Sequence, residues 1–482
     1  MPEIKEECAI VGYYCINNED KCVNMCIDSL DKLQHRGRES SGISFRNDLN
    51  DWDLFRGVGL VNDVFSKYSN TSNVRSIIGH NRYSTSGKNN TTIMEFNEES
   101  QMYEDKNCKL YIQPFYSGLH NFAMVHNGNI QKMSYDQNDS LYLFKFIEDY
   151  MEKGFNMKSI LIKLLQTIKG IYNLIIQNED GLFILRDRFG VRPFFYGKCG
   201  DNMIVCGSET CAFTNDTTDI KEVEPGELLY IGEKAHIIPY KTKSKKLIHK
   251  LFKLPVAQID KSFCVFEYFY FMKHNSRIDN NSLYDIRFKL GSRLAKKDLQ
   301  NNKYTDFTIE NTLVVGSPNS GIAAGEGYSL YSGLTYFQCI EKKEGIGRTF
   351  ILPTDQERKQ LCSKAFDISE QQISGKNIII VDDTIVRGNT FKSLIEQVRS
   401  IGKPKSIHVK IASPKIIDRC NLGIDLPTKE ELVTHKCEDI AEFIGADSII
   451  FLDLEEIKEI LGKNICTKIC GCFKGGVNYN DW

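Results

Sequence analysis

The strongest constraint in the sequence is an apolar run that ends abruptly in two carboxylates. Residues 378–391 read IIIVDDTIVRGNTF. Four consecutive apolar side chains, Ile378 to Val381, cannot alternate between core and solvent. They predict a strand buried on both faces, as in a parallel sheet. Asp382 and Asp383 then stand at its carboxyl end, where open α/β sheets bind their ligands. The loop that follows carries a hydroxyl at each end, Thr384 and Thr390, with Gly388 between them, and a helical pattern starts at once. Loop amides and a helix N-terminus suit a phosphate. Two carboxylates repel one, so they face another group, and vicinal sugar hydroxyls, which donate hydrogen bonds, fit. The plainer reading is an acidic loop with an Asp capping the helix.

The surrounding pattern agrees with a parallel sheet. Apolar runs at 311–318, 334–340, 377–383, 406–414 and 447–453 alternate with helical stretches such as FKSLIEQVRSIG, 391–402. The first half differs. It holds short β-rich runs at 9–14, 76–84, 122–128, 172–177, 181–187 and 202–208, with two helical patterns at 23–36 and 140–154. That predicts mixed α and β structure with much antiparallel sheet. VEPGELLYI, 223–231, reads as a turn and closing strand, and the basic stretch YKTKSKKLIHK, 240–250, as a linker or an edge excursion. The division is expected near 235–260. A length of 482 residues allows two or three domains.

Charge narrows the function. With 61 basic against 63 acidic residues the chain has no electrostatic footprint for nucleic acid. No apolar run approaches the ~18 residues of a membrane helix, so no membrane partner is expected. MPEIKEEC lacks the apolar centre of a secretory signal. The expected compartment is the cytoplasm, with most of the 16 cysteines as buried thiols.

Residues 378–391 resemble the phosphoribosyl-pyrophosphate (PRPP) loop of the type I phosphoribosyltransferases. The resemblance implies that Asp382 and Asp383 hold the ribose hydroxyls and that Thr384, Val386, Arg387, Gly388, Asn389 and Thr390 hold the 5′-phosphate. Ser320, Lys342 and Arg348 are implied as further PRPP contacts. Mg2+ would arrive with the pyrophosphate and lie at Asp382 and Asp383. Asn389 stands where that family often has threonine.

Cys8 opens the first β-rich run. LQHRGRESSGI (33–43), GHNRYSTSG (79–87) and MVHNGNI (124–130) follow it. Together they resemble the class II glutamine amidotransferases, which are N-terminal-nucleophile hydrolases. LRDRFGVRPFFYG (185–197) and CGSETCAF (206–213) extend the likeness. A glutaminase domain followed by a phosphoribosyltransferase domain resembles the glutamine PRPP amidotransferase family, as do CVFEYFYF (264–271), GRTFILPT (347–354) and residues 412–432.

The implied fold is an α+β αββα glutaminase domain over 8–240 and an α/β phosphoribosyltransferase domain over 260–460, followed by a cysteine-rich segment, 461–482. Residues 1–7 would be a propeptide that cleaves itself off. The chemistry explains why: amide hydrolysis needs a nucleophile, a base and an oxyanion site. A cysteine at the mature terminus can use its own α-amine, which titrates near ~8, as the base. By resemblance Cys8 is the nucleophile, and Asn127 and Gly128 form the oxyanion hole. Arg36, Arg82 and Asp139 serve the glutamine, with Arg36 and Gly37 organising the site. Asp139 alone also reads as a helix N-cap. His35 and His126 read as structural.

Some members of this family carry a [4Fe-4S] cluster, and Cys264, Cys420, Cys470 and Cys472 match their ligand positions. The match departs from the family at the end. The usual terminal pair is CxxC before Phe, but residue 469 is Ile, leaving Cys470 or Cys466 to partner Cys472. Free thiols or zinc are the competing reading. Two other loops depart: Asn319 replaces an aspartate, and Glu344 and Gly345 replace Arg and Tyr, which suggests looser coupling between the two sites.

The implied reaction is glutamine plus PRPP plus water to 5-phosphoribosylamine, glutamate and pyrophosphate, at the entry to purine synthesis. A homotetramer or homodimer and inhibition by purine nucleotides are implied as well. Competing readings are another class II amidotransferase, a degenerate PRPP-binding regulatory relative, and an ammonia-dependent enzyme with a silent glutaminase.

Overall fold

A computed structural model describes residues 8–19, 21–47, 51–66, 68, 74–83, 94–97, 102–105, 111–130, 138–232, 248–253, 261–300, 306–343, 366–420, 422–424, 426, 428–462, 464–465 and 469–474. The chain divides into two units between Phe263 and Cys264. The proposed propeptide lies outside the described residues, as do Cys466, Glu344, Gly345 and Arg348.

The first unit is built on two antiparallel sheets. One has seven strands, with Met203–Gly207, Ala9–Glu19 and Val74–Arg82 at its centre and Ser40–Asn47 beside the last of these. The other has six, among them Phe122–Ile130, Gly170–Asn178, Gly181–Arg186 and Glu227–Gly232. Period-two patterning gives each sheet two apolar faces. Ile10, Tyr14 and Ile78 of the first pack on Val125, Ile175 and Ile184 of the second. The outer face of the six-stranded sheet takes helices Asp139–Glu152 and Met157–Thr167. Helix Cys22–Lys32 lies on the other outer face, where a Cβ at Gly79 would touch Leu30 and Cys26. The order of layers is α, β, β, α.

The sequence reading did not anticipate the helix Met157–Thr167. Its buried residues Met157, Ile160, Leu161, Leu164 and Leu165 form a regular helical stripe. Asn156 caps it, accepting from the Ser159 amide at 2.9 Å. Part of the basic stretch read as a linker or edge excursion is also ordered. Ile248–Lys253 pairs with Glu227–Gly232 as an edge strand.

The second unit holds a five-stranded parallel sheet. Its order is Thr335–Tyr336, Thr312–Gly316, Asn377–Asp382, Ser406–Ile411, Ser448–Phe451. All five coincide with runs read from the sequence. Ile378 to Val381 are fully buried, and each such side chain contributes roughly 1.5–3 kcal/mol. The first strand in the chain is second in the sheet, so the order reverses between Thr312–Gly316 and Asn377–Asp382. The loops leaving these strands, 317–321 and 383–388, therefore flank the topological switch point.

One buried ion pair ties the sheet to its helices. Lys410 Nζ lies 2.7 Å from Asp298 Oδ2, with both side chains essentially inaccessible. Tyr328 Oη donates to the same oxygen at 2.6 Å. Removing one partner strands the other charge in the interior, at about 3–5 kcal/mol. Lys410→Met should lower the urea midpoint of the second unit accordingly, and adding Asp298→Leu should restore part of the loss.

Candidate active sites

Cys8 immediately precedes the strand Ala9–Glu19, whose register sets Ala9 against Asn81 and Ile10 against His80. That register places Cys8 beside the end of the strand Val74–Arg82. The Tyr83 amide donates to Cys8 Sγ at 3.4 Å, and the thiol lies 3.3 Å from the Tyr83 carbonyl. Arg36 Nε donates to the Cys8 carbonyl at 3.4 Å, and its Nη1 bonds Glu209 Oε1 at 2.7 Å. His35 Nε2 meets the same oxygen at 2.8 Å. Arg36 and Glu209 are thus a buried pair gripping the nucleophile's backbone. Arg36, expected to organise the site and to serve the glutamine, lies against the Cys8 backbone.

Burial pushes the Cys8 thiol up to about 11, with Asp139 and Glu39 acting the same way. The Tyr83 amide and the Arg82 guanidinium oppose this. Arg82 and Asp139 therefore both lie within electrostatic reach of Cys8, as a site for a zwitterionic amino acid requires. Arg82 also lies over the Tyr111 ring, 5.8 Å from its centroid.

Asp139 is not the helix cap. Asn138 is, accepting from the Leu141 amide at 2.9 Å. Asp139 follows it in the first turn, half-buried, accepting from the Ser140 amide at 2.8 Å and the Ile130 amide at 3.4 Å.

Asn127 and Gly128 lie on the strand Phe122–Ile130, opposite Asn173 and Tyr172. Asn127 is 2% exposed, and its Nδ2 has no partner among the described residues. A buried amide donor left open is what an oxyanion site needs. Gly128 has no room for a side chain, since a Cβ there would lie 2.1 Å from the Ile171 carbonyl oxygen. His126 Nδ1 is tied to Ser140 Oγ at 2.8 Å, and burial lowers its proton affinity, which suits a structural role.

In the second unit Asp382 and Asp383 are 7% and 5% exposed. Ser320 Oγ donates to Asp382 Oδ1 at 2.6 Å, linking the two loops at the switch point. Thr384 Oγ1 donates to Asp383 Oδ1 at 2.8 Å. Asp383 Oδ2 has no partner among the described residues. Burial and the neighbouring Asp382 push the Asp383 carboxyl well above the usual range, while Thr384 and Arg287 pull it down. Gly388 caps the helix Asn389–Gln397 at φ +78°, a conformation that favours glycine. Val386 is buried, so only its backbone is available to a phosphate, and Arg387 Nη2 lies 3.6 Å from Glu431. Asn389 and Thr390 open the helix. Lys342 is exposed on the strand Ile340–Lys342. Asn319 adopts φ +72°, a region asparagine occupies readily.

The cysteines gather at the far end of the chain. Cys472 shares hydrogen bonds with the Cys420 and Cys470 thiols, which together with burial hold it well above the usual thiol range. The Cys472 carbonyl accepts from the Ile417 amide at 2.8 Å and the Asp418 amide at 3.3 Å. Cys264 is buried two residues before Phe266, whose ring stacks on Phe473 at 5.3 Å. Among the described residues no group of three or more His, Cys, Asp or Glu side chains is arranged to hold a single metal ion.

The sequence reading missed Glu209 and Arg287. Glu209 lies inside CGSETCAF, but a lone Glu after a strand gives no sign of its partners. Arg287 donates to the Tyr268 and Met272 carbonyls at 2.9 and 2.7 Å.

An αββα unit with a cysteine at the head of its central strand, joined to a parallel-sheet unit with an acidic loop at the switch point, defines a glutamine amidotransferase fused to a phosphoribosyltransferase. Comparison with known proteins supports this class and narrows it. Residues 148–266 match the glutamine amidotransferase domain family. The chain is 31% identical to amidophosphoribosyltransferase 1, chloroplastic, of Arabidopsis thaliana, over 98% of this chain and 78% of the relative. It is also 31% identical to the amidophosphoribosyltransferase of Bacillus subtilis, over 98% of this chain and 95% of that one. The structure of glutamine PRPP amidotransferase from B. subtilis, complexed with ADP and GMP, superposes with a TM-score of 0.76 at 28% identity, covering 97% of each chain. The chain belongs to the amidophosphoribosyltransferase family.

Thiolate is the reactive form of cysteine. With residues 1–7 attached, Cys8 stays protonated at neutral pH, since its raised value favours the thiol up to about 11. Alkylation of Cys8 by iodoacetamide should rise about tenfold per pH unit from 7 and level off near 11. Mass spectrometry of the modified peptide checks this, and a plateau below pH 9 would contradict it.

Proposed function

We infer that the chain makes 5-phosphoribosylamine, glutamate and pyrophosphate from glutamine, PRPP and water, the first committed step of purine synthesis. The observation that carries this reading is the presence, in one chain, of Cys8 at the head of a central strand of one sheet, an open Asn127 amide on the sheet packed against it, and the Asp382–Asp383 loop at a switch point.

The glutamine half runs on the first unit's own groups. Arg82 pairs with the substrate carboxylate and Asp139 with its ammonium. Removal of residues 1–7 frees the α-amine of Cys8, which takes the thiol proton as Sγ attacks the side-chain amide carbon. Oxyanion charge develops against Asn127 Nδ2 and the Gly128 amide. The amine returns the proton to the leaving nitrogen, ammonia departs, and water hydrolyses the thioester to glutamate.

The other half belongs to the second unit. Asp382 and Asp383 accept hydrogen bonds from the ribose hydroxyls, and the backbone of 384–390 holds the 5′-phosphate. Ammonia, already a nucleophile, attacks the anomeric carbon and displaces pyrophosphate. Lys342 and Arg348 supply cations to the leaving group. Asp383 Oδ2, buried and open, also fits a cation that arrives chelated by PRPP. Bound Mg2+ would neutralise charge developing on pyrophosphate.

The gathered thiols of Cys420, Cys470 and Cys472, with Cys264 buried near their stacked aromatic neighbours, fit the donor set of a [4Fe-4S] cluster. Such a cluster would be structural or oxygen-sensing, since no step moves an electron. The ADP and GMP bound by the B. subtilis relative support purine nucleotides as inhibitors of this chain. A homotetramer or homodimer belongs to the same reading. No described helix is long and apolar enough to cross a membrane, and the cytoplasm is the proposed compartment.

Cys8→Ala should abolish glutamine-dependent phosphoribosylamine formation and retain most of the ammonia-dependent rate. Equal loss of both would overturn the division of labour. Anaerobically purified protein should carry about four iron and four sulfide per chain, and Cys472→Ser should lose both. Zinc or no metal in the unaltered protein would refute the cluster.

A further inference from the structure

His80 is fully buried, with the His126 backbone beside its ring, and neither ring nitrogen has a well-formed hydrogen bond among the described residues. Its place explains what it faces. Side chains alternate along a strand, and Ile10 and Ile78 point into the space between the two sheets. His80, two residues beyond Ile78, and Cys8, two before Ile10, share that face, as does Arg82. On the facing sheet Val125 and Ile175 point into the same space. Asn127 lies two residues beyond Val125, Asn173 two before Ile175, and the two are register partners.

The other open polar atoms gather here. Asn127 Nδ2, Asn173 Oδ1 and Ser40 Oγ are all buried without a partner among the described residues. Ser40 pairs with Arg82 on the strand that also carries His80. A buried unsatisfied polar group costs about 1–3 kcal/mol, so four residues of this kind at one end of the intersheet space mark a built polar pocket. Burial, with Arg82 and His126 nearby, lowers His80 to about 3, so the ring is neutral at working pH. A neutral imidazole offers one acceptor and one donor. One nitrogen can serve as the acceptor behind the Asn127 amide, leaving that amide's second hydrogen for the substrate.

We propose that His80 is a positioning residue of the glutaminase, anchoring the Asn127 amide from behind so that its second hydrogen meets the oxyanion formed at Cys8. The proposal rests on the glutaminase reading of Cys8 above, and the test separates the two. His80→Phe removes the acceptor, and His80→Gln keeps one. Three rates are measured on mature protein: glutamine hydrolysis, alkylation of Cys8 by iodoacetamide, and ammonia-dependent phosphoribosylamine formation. Alkylation uses the same thiol but develops no oxyanion.

His80→Phe should cut kcat for glutamine hydrolysis about 10- to 100-fold with KM within about twofold. Alkylation and ammonia-dependent synthesis should stay within about twofold, and His80→Gln should recover much of the hydrolysis. Unchanged hydrolysis, or hydrolysis and alkylation falling together in both variants, would overturn the proposal. If His80→Phe does not fold, His80→Ala takes its place under the same criteria, with His80→Gln as the variant that keeps the acceptor. Failure of the glutaminase reading would show instead in the unaltered protein, as glutamine that is never hydrolysed.

Discussion

The grip on the Cys8 backbone is the contact on which the first unit's chemistry depends. Under the proposed reading Cys8 is a nucleophile that also ends the mature chain, and a residue with one covalent anchor fewer needs other groups to hold it. Arg36 takes its carbonyl, the Tyr83 amide its sulfur, and strand pairing begins at the next residue. Arg36 is itself fixed by Glu209, a charge-assisted bond inside the protein where it is screened little. The Ser208 side chain and amide clamp Ile10 in the same region. The double sheet therefore frames Cys8, with the open Asn127 amide proposed as an oxyanion donor on the opposing sheet.

The second unit solves a different electrostatic problem. Two adjacent carboxylates are held at the end of a fully buried strand, where burial and mutual repulsion raise the proton affinity of Asp383. Ser320 and Thr384 each spend a hydroxyl on one of them. A ligand that brings hydroxyl donors or positive charge would offset that repulsion, and magnesium-chelated PRPP, the proposed ligand, carries both. The loop is empty of side-chain bulk at Gly388, whose left-handed backbone starts the phosphate-facing helix.

How much of this was legible follows from what each element buries. The five parallel strands were readable because strands covered on both faces are continuous apolar runs. The acidic loop was readable because two carboxylates directly after a fully apolar run, before a hydroxyl–glycine loop, exceed what a helix cap requires. The edge strand Ile248–Lys253 was obscured by its lysines, which mimic a linker. The helix Met157–Thr167 carried a clear stripe and was overlooked between the glycine at 154 and the strand at 170. Asp139 was ambiguous until Asn138 was seen to be the cap. Glu209 and His80 were invisible as functional residues, since a buried charge partner and an open imidazole are defined by what faces them across the fold. Cys470 and Cys472 were placed by a family resemblance, and what brings their thiols together with Cys420 is set by the fold rather than by local sequence.

The account's central claim is that Cys8 acts only as the first residue of the mature chain. The direct measurement is intact mass of the purified protein paired with glutamate release, with and without magnesium–PRPP. The account predicts a chain shortened by seven residues, with glutamine hydrolysis that rises strongly when PRPP is present. A full-length chain that hydrolyses glutamine at the same rate, indifferent to PRPP, would contradict it.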